Sequence, residues 1–175
     1  MGYTHYWYRK KSFTQKQWEK VCMKVLDVVN FCDRTCTRVR GKILLAWEYD
    51  SPMEEQPTFF GGAKFLPKPP QVDNDVIRFN GWKDKGHETF VVNKELPETY
   101  ITDAGDVFDF CKTDRKPYDM AVMLCLLVMS EVAPSSFRAE SDGDWDGEWV
   151  AAREAYKELF GKEPKCPFAR SMEQA

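Results

Sequence analysis

Met120 to Met129 is a run of ten residues without a charged side chain, and it constrains the fold more than any other feature of the chain. Ten residues fall well short of the roughly 18 to 20 needed to cross a bilayer, so the run reads as a helix buried in a protein core. Pro117 stands just ahead of it, in the first helical turn, where a missing N–H costs nothing. Tyr118 to Val132 is therefore a helix that other elements must cover. With 175 residues, 43% hydrophobic and 14% aromatic, the chain has the material for one such core, which excludes a disordered protein and gives a single domain over 1–175.

Tyr3 to Tyr8 is aromatic and β-branched, which suits a strand with Tyr3, His5 and Trp7 on one face and Thr4, Tyr6 and Tyr8 on the other. Ser12 and Thr14 are both N-cap residues for the next segment. There Trp18, Val21, Cys22, Val25, Val29 and Cys32 recur at helical spacing to about Arg34. Gly41 breaks the chain, and Ile43 to Tyr49 reads as a buried strand ending at Asp50, Ser51 and Pro52.

Pro52 to Asn74 holds five prolines and two adjacent glycines around Phe59, Phe60 and Phe65, which predicts a long loop over 52–74 without a regular element. Loops of that length are often lids or binding loops, and otherwise pack on the core. Val76 to Asn80 and Glu88 to Asn93 read as a hairpin, Val107 to Lys112 as a further strand and Phe137 to Glu140 as a short one. Trp145, Trp149, Ala152, Tyr156, Leu159 and Phe160 keep helical spacing, Gly161 suits the cap, and 164–175 reads as a peripheral tail. Short connections between strands favour an α+β fold: one domain, a mostly antiparallel sheet and about three helices on one face.

A net charge of −3 and a pI near 5.5 argue against duplex DNA held by a generally basic surface, although a local basic patch is compatible with them. The opening residues lack a charged n-region followed by an apolar stretch, so no secretory signal and a cytoplasmic location are expected, with no membrane partner. The six cysteines are then expected as thiols. Cys32 and Cys36 have no second pair to complete a zinc site, and no cofactor is expected.

Cys111 to Asp119 is the most suggestive functional segment. It joins a strand to the buried helix and gathers Lys112, Thr113, Arg115 and Lys116 at a helix start, where free N–H groups and the macrodipole favour an anion. Either a phosphate-bearing ligand or carboxylates such as Asp114 and Asp119 would satisfy these cations. No Gly-rich fingerprint of a P-loop or Rossmann site is present.

His87-Glu88-Thr89 has the H-x-T spacing of two-histidine phosphoesterases, but His5-Tyr6-Trp7 lacks the second hydroxyl, so His5 and His87 are weak catalytic candidates beside a structural role. No Ser-His-Asp order or Cys-His pairing is better supported. Asp142, Asp144 and Asp146, with Gly147, reproduce half of a calcium loop. Position twelve falls on Arg153, and the simpler role of the three is to cap the following helix. Trp82, beside Asn80 and Gly81 in a polar turn, is the best tryptophan for stacking on a ligand.

Met1-Gly-Tyr-Thr-His-Tyr-Trp7, Arg78-Phe-Asn-Gly81 with Glu88-Thr-Phe90, Phe110-Cys-Lys-Thr113 with Arg115-Lys-Pro-Tyr-Asp119, and Ser141-Asp-Gly143 occur in that order. Together they resemble an uncharacterised family of bacteriophage and prophage proteins. The resemblance spans most of the chain and brings no activity with it. It implies a small accessory protein in the bacterial host cytoplasm, with roles in nucleotide metabolism, host takeover or counter-defence, including sequestration of nucleotide signals. The polar motif residues His5, Trp7, Asn80, Glu88, Lys112, Thr113, Arg115, Tyr118 and Asp119 are expected to line one pocket for a phosphate-bearing small molecule or nucleotide. An enzyme that processes nucleotides and a module that binds a host protein are the alternatives.

Overall fold

A computed structural model of the chain describes residues 2–35, 43–57, 61–96 and 105–168. Cys36, Gly41, Phe59 and Phe60 lie outside the described residues. The element order is β1 (Thr4–Arg9), α1 (Gln15–Thr35), β2 (Leu45–Ala46), β3 (Met53–Pro57), β4 (Ala63–Pro67), β5 (Gln71–Val72), β6 (Val76–Gly81), a 3-10 turn (Lys83–Lys85), β7 (Phe90–Asn93), β8 (Val107–Lys112), α2 (Asp119–Val132), β9 (Phe137–Ser141) and α3 (Val150–Phe160). The expected α+β class holds.

Helix α2 is the centre of the molecule: every residue from Asp119 to Met129 is buried. A helix apolar on all sides needs partners on all sides. Here α1, α3 and β9 pack against it. Each fully buried Leu, Val or Met contributes about 1.5–3 kcal/mol relative to exposure, so this segment accounts for a large part of the driving force. Thr14 caps α1 through a reciprocal pair, Thr14 Oγ1 accepting from Gln17 N at 3.3 Å and Gln17 Oε1 accepting from Thr14 N at 3.0 Å. Gly161 closes α3 at φ 72°, a left-handed value that glycine adopts without penalty.

The strands form three antiparallel sheets instead of one: β8-β1-β9, β2-β6-β5 with β7 on β6, and the separate ribbon β3-β4. In the first, Tyr6 faces Phe110 and Glu140, and Tyr8 faces Phe108 and Arg138. Its inner face carries His5, Trp7, Val107, Cys111, Phe137 and Ala139, all buried.

Three expectations change. The segment 52–74 is not an irregular loop, because Pro52 precedes β3 while Pro57 and Pro67 end β3 and β4, positions where a missing donor breaks no ladder. Phe65 on that ribbon is 62% exposed and closes over nothing among the described residues. The strand read over Ile43 to Tyr49 shrinks to Leu45–Ala46, since turns follow at once and Ser51 Oγ holds Glu48 N at 2.8 Å. Within the expected tail Lys165 and Cys166 are exposed but Pro167 and Phe168 pack: Pro167 O accepts from Ala139 N at 3.1 Å, and the Phe168 ring stands edge-on to Trp149 at 5.1 Å.

Candidate functional site

The turn after β8 folds back onto β1. Thr113 N and Asp114 N both donate to Tyr3 O, at 2.9 and 3.1 Å, and Lys116 N closes the turn on Thr113 O at 3.0 Å. The central residues Asp114 and Arg115 have φ of 51° and 54°. Left-handed backbone at a non-glycine residue costs roughly 1–2 kcal/mol, so the contacts with Tyr3 and the neighbours of Thr113 have to hold the turn. The result aims Thr113 inward and sets the Arg115 guanidinium 4.1 Å over the Tyr3 ring and 3.4 Å from Glu148.

Beneath the turn lies a closed polar network. Asp119 Oδ1 accepts from His5 Nε2 at 2.7 Å and from the Thr113 hydroxyl at 2.5 Å. A carboxylate only accepts, which assigns the proton to Nε2 and leaves His5 Nδ1 to accept from the Ser141 hydroxyl at 2.9 Å. Ser141 Oγ in turn accepts from Gly143 N at 2.9 Å and from Trp149 Nε1 at 3.1 Å. The rings of Tyr3 and Trp149 stand edge-on to the fully buried imidazole at 5.1 and 5.3 Å.

This order of His, Asp and Ser repeats the connectivity of a hydrolase triad with the two ring nitrogens exchanged. Its chemistry differs, because both lone pairs of Ser141 Oγ are engaged by donors and none is left for attack on a substrate. The arrangement instead ties β1, the turn, α2, β9 and the approach to α3 together. Tyr3 Oη is buried beside it without a partner of regular geometry, and burial pushes the phenol up to about 12, slightly offset by Ser141. Burial likewise pushes the Tyr118 phenol and the Cys111 thiol well up.

Several residues expected to line an open ligand pocket are thereby committed to structure. Thr113 and Asp119 belong to the network, and Tyr118 is buried with its hydroxyl on Glu88 O at 2.6 Å. Trp7 is in the core against Phe90, ring centroids 5.3 Å apart. Asn80, also buried, holds its turn together by donating to His87 O and Thr89 Oγ1 and accepting from Gly81 N and His87 N. Trp82 is half-buried, its Nε1 on Ser51 O at 3.2 Å. Glu88 spends a carboxylate oxygen on Lys112 N at 2.8 Å, and exposed His87 donates Nδ1–H to Lys112 O at 2.9 Å. His5 and His87 thus have separate partners. Trp82, His87, Glu88, Lys112, Arg115 and Lys116 of that set keep surface exposure.

The acidic loop does not gather its carboxylates. Asp142 accepts from Thr4 N and Tyr6 Oη, Asp144 from Asp146 N, and Asp146 from Arg153. Among the described residues no group of three or more His, Cys, Asp or Glu side chains is placed to hold a metal ion.

The open chemistry is on the outer face of the β8-β1-β9 sheet. Phe108 and Phe110 are 40% and 49% exposed and 6.2 Å apart between ring centroids, with the half-buried Tyr8 and Tyr6 beside Phe108 at 5.1 and 6.3 Å. The Arg138 guanidinium lies 3.8 Å over Tyr8, and Lys112, which has no ion-pair partner among the described residues, closes the opposite corner. Beyond the edge of β8 the face continues into a hollow of about 580 Å³ between Phe108, Phe110 and the segment Asn93–Leu96. Alternation along Val107 to Lys112 is enough to put Phe108, Phe110 and Lys112 on one face, but nothing local marks that face as open among the described residues. The partnership of His5 with Ser141 spans 136 positions and had no local signal.

Among the described residues no helix is long and apolar enough to cross a membrane. Comparison with protein-family models, curated proteins and solved structures finds no match to this chain.

Proposed function

We propose that this chain is a binding protein that holds a ligand carrying both an aromatic base and a phosphate, in the simplest case a nucleotide, on the outer face of the β8-β1-β9 sheet. One observation carries the reading: two solvent-open rings, Phe108 and Phe110, sit side by side on β8 with Lys112 at their end, next to a hollow of ligand size, while Arg138, paired with Glu140 at 3.1 Å, stands across Tyr8 on β9. Rings offer bases a stacking surface irrespective of sequence, and the cations supply charge-assisted bonds to phosphate oxygens. The strand-to-helix turn is the weaker location, because Thr113 is buried on Asp119 and the ring under Arg115, Tyr3, is buried too; Arg115 and Arg138 each keep a carboxylate, Glu148 at 3.4 Å and Glu140 at 3.1 Å.

The resemblance to bacteriophage proteins supports a setting for this activity. In it the protein acts in the bacterial host cytoplasm as an accessory factor and sequesters a nucleotide signal in counter-defence.

The test is a mass spectrum of the molecules released by denaturing natively purified protein, with Phe108→Ala and Arg115→Ala run beside the wild type. A nucleotide-class ligand lost in Phe108→Ala and kept in Arg115→Ala supports the reading. Loss only in Arg115→Ala returns the site to the turn, and a stable protein partner with no small ligand favours an interaction module.

A further inference from the structure

We infer that the ligand of the outer face is single-stranded nucleic acid, two successive bases of which lie on Phe110 and on Phe108. The inference rests on the reading above and adds the class of ligand.

A mononucleotide has one base, yet the face offers two open rings on one strand. Phe108 has both Tyr6 and Tyr8 against it, at 6.3 and 5.1 Å between centroids, with Arg138 over Tyr8, and Phe110 stands two residues along the strand. The Phe108 and Phe110 centroids are 6.2 Å apart, nearly twice the roughly 3.4 Å rise between bases in a duplex strand. Bases can occupy both rings only when a strand is splayed, which is the form in which proteins stack bases on side-chain rings and guanidinium planes. A duplex keeps its bases inside and offers nothing to a flat aromatic sheet face.

The charges fit the same occupant. Lys112 pairs in register with Thr4, beyond the Tyr6 row, while Arg138 pairs with Tyr8 on the far strand. The two cations therefore stand at opposite corners, Arg138 sharing its guanidinium with Glu140 at 3.1 Å, and a phosphate backbone running between them crosses the Phe110 and Phe108 rows. No aliphatic side chain occupies an outward position of these strands: the outer residues are Thr4, Tyr6, Tyr8, Phe108, Phe110 and Lys112, with Arg138 and Glu140. An apolar protein partner would find rings and charges there but no aliphatic surface to interdigitate with. Two cations on a protein of net charge −3 also set a limit. Binding must come mainly from stacking, so its salt dependence must be shallow. Two phosphate contacts on a single strand give a slope of about −1.4 in log K against log salt.

Fluorescence anisotropy with a labelled single-stranded oligodeoxythymidine of about ten nucleotides tests this, since that length lies within the site sizes of known single-strand binders. Unlabelled thymidine monophosphate, the same oligomer and its duplex serve as competitors. Competition by the single strand at least tenfold better than by the monophosphate or the duplex, with the shallow salt slope, is the expected result. Phe108→Leu should weaken binding roughly five- to a hundredfold while Phe108→Trp retains it, because leucine keeps the apolar volume and loses the ring. Equal competition by the monophosphate overturns the inference and leaves the nucleotide reading standing. Absence of binding by either single strand or monophosphate overturns both. Equal weakening by Phe108→Leu and Phe108→Trp, with melting temperatures unchanged, overturns the stacking role.

Discussion

Phe108 and Phe110 lie two residues apart on β8, their ring centroids 6.2 Å from each other and both rings open to solvent. Half-buried rings that touch one another still lose some packing on truncation, Phe108 most, because Tyr6, Tyr8 and Phe110 all lie against it. Phe108→Ala is expected to cost about 1–2 kcal/mol and Phe110→Ala about 1 kcal/mol. Urea denaturation checks this; a loss of several kcal/mol would mean that the rings serve packing.

His5, Asp119 and Ser141 act through buried hydrogen bonds instead. Asp119→Ala leaves a buried imidazole N–H and the Thr113 hydroxyl without an acceptor and should cost about 3 kcal/mol. Ser141→Ala orphans Gly143 N and Trp149 Nε1 and should cost about 2 kcal/mol. His5→Ala combined with Asp119→Ala should cost less than the sum of the single changes, since both remove the same bond. Thermal denaturation measures all of these, and a Ser141→Ala protein of unchanged stability would refute the structural role of the network.

Gly143 gives a sharper packing test. A Cβ at this buried position would overlap Tyr3 Oη. Gly143→Ala should therefore destabilise by about 1–3 kcal/mol, the usual cost of overpacking. The penalty should shrink in a Tyr3→Phe background, which deletes the obstructing oxygen. Tyr3→Phe alone should be close to neutral, because that hydroxyl has no regular partner to lose.

Stability should fall on the alkaline side. Burial raises Cys22 from 9.0 to about 11 and Tyr3 from 10.0 to about 12, and it also pushes Cys111, Tyr118, Cys125 and Tyr156 upward. For a raised acid the folded state keeps its proton longer than the unfolded state. The stability it contributes is thus complete below the unfolded value and is lost as pH rises through the folded one. Arg9, lowered by burial to about 10, acts in the opposite sense, one group against these six. The melting temperature under reducing conditions should be flat up to about pH 9 and decline from there towards pH 12; a flat profile would contradict the burial of these groups.

Helical periodicity and caps made α1, α2 and α3 legible to within a few residues at the start of each, with the most slippage at α3, where a turn over 145–149 precedes the helix. Strand partners were less legible. Alternation along Tyr3 to Tyr8 showed which residues share a face, but β1 pairs with β8 about a hundred positions away and with β9 still farther along, and no local pattern encodes that choice. The ribbon β3-β4 was hidden because proline counts alone do not distinguish a strand end from a loop. At the start of α2 the sequence signal for an anion was sound as chemistry. The chain offers one of its own, the carboxylate of Asp119, whose neighbours His5 and Ser141 only the folded structure brings within reach.

A nucleotide-class ligand on the outer face of the β8-β1-β9 sheet should leave its footprint in the amide spectrum of that face. Amide chemical-shift mapping of the isotopically labelled protein, titrated first with a nucleotide mixture and then with single-stranded oligonucleotide, tests it most directly. Saturable shifts clustered at Tyr6, Tyr8, Phe108, Phe110, Lys112 and Arg138 are expected. Shifts confined to Arg115 and Lys116, or none at all, would contradict that placement.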